Sequence, residues 1–249
     1  MGRAPRRQSE SGLYHAITRG VNREAVFHDP AHYERYLDSA RKARDASGAA
    51  VLAYALMPNH AHFLIHDPAD AMQGFFQRLG TGYATWYNRK HDRVGHLFQG
   101  RFNSKPIDTD AYLAMALTYI HMNPVKAGLS GSAADYPWSS ASHDAARHGL
   151  ADPARLAEFI EPSRAKQYLR DAEALAHAAD LPAPLEPVHL AIEPVRTEDE
   201  AISALLLVAG VGSHAEFMEL PLAYRRAAAA ELAAAGLSPH RAGTLAGVS

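Results

Sequence analysis

Two short apolar runs, AAVLAYALM (49–57) and HAHFLIH (60–66), are separated only by Pro58-Asn59, and this pairing constrains the fold most. Each run is shorter than an ordinary helix and longer than a turn, and the first has no polar face, so it fits a buried strand. A proline-asparagine break leaves room only for a tight turn, which makes the second run the antiparallel hairpin partner of the first. Upstream, LYHAITRGV (13–21) reads as a strand, with Leu13, His15 and Ile17 on one face and Tyr14, Ala16 and Thr18 on the other. Between them Asp29 caps a helix, Pro30 opens it, and Ser47-Gly48 ends it. A helix over 71–91 and a strand GRFNSKPID (100–108) come next. Thr109 or Asp110 then caps a further helix. It is expected to run to Asn123, because Pro124 disfavours helical geometry in the residue before it.

The resulting order is strand, helix, strand, strand, helix, strand, helix. It matches the split β-α-β arrangement of a ferredoxin-like α+β fold, an antiparallel sheet with helices packed on one face. An all-α extension is expected to follow. We divide the chain into a domain over 1–145, a helical extension over 146–180, a Pro-rich linker over 181–200 and a helical region over 201–249. In that last region Ser238 caps a short helix PHRAGTLA, followed by Gly-Val-Ser. This reads either as the opening of a truncated helix-turn-helix or as an ordinary Ala-rich helical hairpin.

At 47% hydrophobic and 21% charged residues, the 249-residue chain has the composition of a folded globular protein. No run of about 18 apolar residues and no apolar segment near MGRAPRRQSESG is present, so neither a membrane span nor a secretory signal is expected, and a cytoplasmic location is. The absence of cysteine excludes disulfides, thiolate zinc sites and a cysteine nucleophile, and the 15 histidines become the first candidates for chemistry. The formal charge of -2 hides an asymmetry: residues 1–129 carry a net +5 and residues 130–249 a net -7. Between Arg78 and Lys105, six bases face a single acid, Asp92, interleaved with Tyr83, Trp86, Tyr87, Phe98 and Phe102. Bases with aromatics suit a nucleic-acid groove, and the same stretch is equally readable as a solvated helix face whose aromatics fill the core.

His60 and His62 lie two apart on a strand, so both side chains leave one face about 7 Å apart and can converge on one ion. His66 shares that face but lies about 13 Å from His62, too far to join them. On the following helix Leu113, Ala116, Leu117 and Ile120 form a stripe suited to packing on the sheet, and Tyr112, Tyr119 and Asn123 form the next stripe. A tyrosine hydroxyl near an amide oxygen and two imidazoles makes a plausible nucleophile beside a phosphate-binding cation. Read singly, the histidines fit hydrogen-bonded core residues and Tyr119 a core-edge aromatic.

Three strings, LMPNHAHFLIH (56–66), VGHLFQGRFNSKPID (94–108) and YIHMNPVKAGL (119–129), resemble in order and spacing the HUH single-strand transposases with one catalytic tyrosine, in particular the REP-associated tyrosine transposase branch. The opening ITRGVNREAVFHD (17–29) fits the same family, and the resemblance spans roughly 12–145. It implies that His60 and His62 are the HUH histidines, with Ala61 small for the hydrophobic slot between them. It further implies that Tyr119 is the nucleophile and that Asn123 completes a site for Mg²⁺ or Mn²⁺. Arg19, Arg89, Lys90, Arg93, His96, Gln99, Arg101 and Lys105 are then the expected DNA contacts.

The implied activity is metal-dependent cleavage and rejoining of hairpin-bearing single-stranded DNA through a 5′-phosphotyrosyl intermediate, a transposase-like strand transfer. A monomer is favoured over a dimer. The rival readings are a non-catalytic binder of palindromic repeat DNA with the same fold, and another metal-dependent hydrolase built on His60 and His62. The intact set of His60, His62, Tyr119 and Asn123 counts against the first, and the tyrosine helix would go unexplained in the second.

Overall fold

The structure is a computed structural model that describes residues 8–178 and 237–248, with single helical positions at 218, 225, 226, 229 and 233. The expected linker over 181–200 and most of the helical region from 201 lie outside the described residues. The elements are β1 (Leu13–Arg19), α1 (Pro30–Ser47), β2 (Ala50–Met57), β3 (His60–His66), α2 (Met72–Lys90), β4 (Asn103–Ile107) and α3 (Asp110–Lys126). The helices α4 (Ala145–His148), α5 (Pro153–Leu156), α6 (Pro162–Ala178) and α7 (Pro239–Leu245) follow. Local chemistry sets several boundaries. The Asp29 side chain accepts from the His32 amide at the start of α1, and Gly48 ends the helix at φ 81°, a left-handed conformation that glycine adopts without strain. Thr109, the first of the two expected caps, accepts from the Tyr112 amide at the start of α3, and Ser238 caps α7 in the same way.

The four strands form one antiparallel sheet in the order β2-β3-β1-β4. This is the ferredoxin-like arrangement, in which β3 lies between the two strands joined by α1. Strand β4 is shorter than expected and begins at Asn103; Gly100 upstream of it sits at φ 70°, which breaks the extended geometry. The expectation of helices on one face is corrected. Tyr14, Ala16, Phe63 and Ile65 pack with Tyr36, Leu37, Phe75 and Tyr83 of α1 and α2, whereas Leu13, Leu64 and Ile107 pack with Leu113, Ala116, Leu117 and Ile120 of α3. Both faces of β2 are apolar, so leaving either uncovered would expose a large hydrophobic surface. A register shift between Val51 and Ala53 turns Leu52 and Ala53 together toward the α3 side. Helix α6 and the segment before it add Ile160, Phe159 and Tyr168 to that second core.

Helix α3 does not end at Asn123 but continues through Pro124 to Lys126. Pro124 lies in the last turn, where the helix loses one hydrogen bond from the missing N–H, and proline's fixed φ is itself helical. The aromatics of the basic segment are core residues: Tyr83 and Tyr87 are buried, and Trp86, Phe98 and Phe102 pack against the same cluster. Of the two readings of Arg78–Lys105, the core-filling one holds for the rings; Arg78, Arg89, Lys90 and Arg101 are exposed, and Arg93 and Lys105 are half-buried.

Candidate active site

His60 and His62 emerge from β3 onto the α3 face of the sheet, their ring centroids 4.8 Å apart and nearly perpendicular. His60 is the first residue after the Pro58-Asn59 turn. That turn is held against β1 by the Gly20 amide, which donates to the Asn59 carbonyl at 2.9 Å. Asn59 also fixes the neighbouring ring. Its Nδ2 donates to the Arg23 carbonyl at 3.1 Å, which turns its Oδ1 toward His60 Nδ1 at 2.6 Å.

His62 is fully buried, with 0% exposure. Its Nδ1 lies 3.0 Å from Nε2 of His15 on β1, and its Nε2 is buried with no hydrogen-bond partner among the described residues. Burial lowers its pKa well below the usual histidine value, reinforced by the neighbouring His60, His15 and Arg19. Burial likewise lowers His15 to about 3, with Lys105 adding to the effect. Both imidazoles are therefore neutral near pH 7, the form that can ligate a cation.

Helix α3 supplies the remaining groups. The Tyr119 ring stands edge-on to His62 at 5.5 Å and to His15 at 5.8 Å. One turn on, Asn123 is 4% exposed, and its Nδ2 donates to the Tyr119 carbonyl at 3.0 Å. That bond commits the amide nitrogen to the helix and leaves the oxygen as the end suited to a cation. The Lys126 ammonium lies 5.9 Å over the Tyr119 ring.

Two imidazoles, with an amide oxygen on the facing helix, are donors a divalent cation could use. The decisive feature is the buried His62 Nε2, which has no hydrogen-bond partner among the described residues, beside a second imidazole and a phenol. No group of three or more His, Cys, Asp or Glu side chains able to hold a metal occurs among the described residues. A site here would therefore rest on two imidazoles completed by an amide oxygen. His66 has other partners: its Nδ1 faces the Arg155 guanidinium at 3.3 Å and its ring packs on Phe159.

The expected DNA contacts divide into three sets. Arg19 pairs in register with His60 across β1 and β3, and Lys105 with His15 across β1 and β4, so both flank the histidines. The segment after α2 is tied to the same end of the sheet, with the Gln99 amide donating to the Arg19 carbonyl at 2.8 Å and the Val21 amide to Leu97 at 2.9 Å. It presents His96, Gln99 and Arg101 to solvent near that end, and Arg89 is exposed on the last turn of α2. Lys90 and Arg93 are partly committed elsewhere, Lys90 to Asp29 at 3.3 Å and over the Trp86 ring, and Arg93 to Glu24 at 3.9 Å.

A second histidine cluster serves the scaffold. His32 Nδ1 donates to Asp29 at 2.7 Å, and its Nε2 meets His91 Nε2 at 2.8 Å. This chain links the start of α1 to the end of α2. Sequence reasoning missed His15 as a site residue. Its face on β1 was legible, but its place beside His62 follows only from the β1–β3 register.

The sequence model of the family described as Transposase IS200 like matches residues 8–123, a span that contains His15, His60, His62, Tyr119 and Asn123. Among solved structures, a REP-associated tyrosine transposase bound to a REP hairpin is 21% identical with a TM-score of 0.45, over 61% of this chain and 90% of that one. A candidate transposase from Deinococcus radiodurans is 19% identical with a TM-score of 0.35, over 48% of this chain and 95% of that one. No curated protein is similar enough to the chain to count as a match.

Proposed function

We propose, from the match of residues 8–123 to the sequence model described as Transposase IS200 like, that this chain is an enzyme that cuts and rejoins hairpin-bearing single-stranded DNA. In this reading Tyr119 is the nucleophile, and His60, His62 and Asn123 hold Mg²⁺ or Mn²⁺. The observation that carries it is the Tyr119 ring set 5.5 Å from a buried His62 whose Nε2 has no hydrogen-bond partner among the described residues.

The chemistry follows from the groups present. The Tyr119 hydroxyl attacks a backbone phosphate in line, forming a tyrosyl O–P bond as the P–O bond to the 3′-oxygen breaks. The phenol proton passes to solvent and the departing 3′-oxygen takes one up, leaving a 5′-phosphotyrosyl chain and a free 3′-hydroxyl. Attack by a second 3′-hydroxyl reverses the step and joins strands without an external energy source. A bound divalent ion would neutralise charge developing on the phosphate and orient the scissile group. The Lys126 ammonium over the Tyr119 ring favours the developing phenolate. Arg19 and Lys105, on the strands flanking the histidines, would hold the strand by its phosphates, with Arg89, His96, Gln99 and Arg101 extending that grip toward the stem. With the aromatic rings of 83–102 packed against the core, binding would rest on backbone charge more than on stacking.

The test incubates the protein with labelled single-stranded hairpin oligonucleotides from repeats flanking its gene, with Mn²⁺ or Mg²⁺, and looks for an adduct that survives SDS. The expected adduct disappears in Tyr119→Phe while hairpin binding is retained. Cutting that persists in Tyr119→Phe would move the role to Tyr112 or to activated water. Binding without adduct or cleavage, across both ions and several hairpins, would support a non-catalytic DNA-binding protein instead.

A further inference from the structure

We propose that Asn59 and His15 are positioning residues that hold His60 and His62 with Nδ1 protonated, so that each ring offers Nε2 as its metal-binding nitrogen. This rests on the reading of His60 and His62 as metal ligands and deepens it.

A neutral imidazole has one N–H and one lone pair, and only the nitrogen with the lone pair can bind a cation. Which nitrogen that is depends on the partner of the other. For His60 the assignment follows from Asn59. The Asn59 amide is oriented by its Nδ2 bond to the Arg23 carbonyl, so the atom 2.6 Å from His60 Nδ1 is an oxygen that can only accept. In the neutral ring His60 Nδ1 must then carry the hydrogen, which leaves the lone pair on Nε2.

For His62 the partner is another imidazole, and two arrangements satisfy the 3.0 Å contact between His15 Nε2 and His62 Nδ1. If His15 donated, the hydrogen of neutral His62 would sit on Nε2, a buried N–H with no acceptor among the described residues. If His62 donates, its Nε2 becomes a buried lone pair facing the site, which a cation would satisfy. The second arrangement leaves no stranded donor and gives His62 the same tautomer as His60. The contact is built by the register. Pairing of Ile17 with His62 and of His15 with Leu64 makes His15 the diagonal neighbour of His62 on the α3 face. The two rings stack at 5.2 Å, so His15 also limits rotation of His62.

The experiment records long-range ¹H–¹⁵N correlations of the histidine rings in metal-free protein near pH 7, then titrates Mn²⁺ and follows water-proton relaxation. In the wild type both His60 and His62 should show the Nδ1–H tautomer. His15→Phe keeps a ring but removes the acceptor. It should change the His62 pattern alone and weaken Mn²⁺ binding about 10- to 100-fold, whereas His15→Gln, which keeps an acceptor, should restore most of it. Asn59→Ala should change His60 alone. A wild-type His62 with hydrogen on Nε2 would overturn the proposal. So would a folded His15→Phe with unchanged His62 spectra and unchanged Mn²⁺ affinity. A protein that forms no DNA adduct, yet shows both tautomers and the weakened Mn²⁺ binding, would refute the strand-transfer reading and leave the positioning roles intact.

Discussion

Acidification of the metal-free protein tests the buried histidines as a set. Burial lowers His121 to about 4 and His15 to about 3, from an ordinary value of 6.5. Burial also lowers His62 well below its usual value. A folded-state value below the unfolded one means that the unfolded chain binds more protons. Stability is therefore complete above about pH 6.5 and is lost as the pH falls toward the folded-state values. Between pH 7 and pH 5 linkage gives a loss of at most about 1.8 kcal/mol from His121 and about 1.9 kcal/mol from His15. His62 adds in the same direction, as do His32, His66 and His148, which burial also lowers. The two quantified sites alone approach ~4 kcal/mol, a large share of a typical domain stability of about 5–15 kcal/mol. Lowered carboxylates such as Asp29 and Asp38 titrate below an ordinary value of 3.8 and do not contribute in this window. Urea unfolding followed by tryptophan fluorescence at pH 7, 6 and 5, with EDTA present, measures the change. A loss of less than about 1 kcal/mol from pH 7 to 5 would refute the reasoning. In His121→Asn the pH 7 to 5 loss should shrink by close to the His121 share, even though the variant also gives up the hydrogen bond between His121 and Ser140.

Ile120→Ala removes a fully buried side chain that seats α3 on the sheet; it should cost about 2–5 kcal/mol in the same assay, and a loss under about 1 kcal/mol would mean that α3 is not anchored there. Arg101→Ala and Lys105→Ala should each weaken hairpin binding across sequences and reduce the slope of log affinity against log salt by about 1 for each phosphate no longer neutralised, read by fluorescence anisotropy at several salt concentrations; an unchanged slope would remove that residue from the DNA path. Gly48→Ala at φ 81° should destabilise by about 1 kcal/mol although nothing lies within 4 Å of the added methyl, because the cost is backbone strain; a neutral effect in urea unfolding would argue against the left-handed cap.

The apolar runs flanking Pro58-Asn59, the caps at Asp29 and Ser238, and the 3.6-residue stripe of Leu113, Ala116, Leu117 and Ile120 were all readable along the chain, since each is a local pattern with a local cause. So were the parity of His60 and His62 and the helical stacking of Tyr119 over Asn123, which follow from strand and helix periods alone. Two expectations failed for physical reasons: Pro124 sits inside the last helical turn, where a missing N–H costs little, and α3 covers the sheet face opposite α1 and α2. Helix stripes show that a face is buried without saying which side of the sheet buries it. The pairing register of β1 with β3 was likewise beyond the sequence, because alternation fixes which face a residue occupies but not which residue stands across from it. Register alone set His15 against His62, with Arg19 beside His60 and Lys105 beside His15, and α3 packing alone brought the Tyr119 ring to the histidines. The chain thus determined the chemical groups and their faces, and tertiary packing decided which of those groups meet.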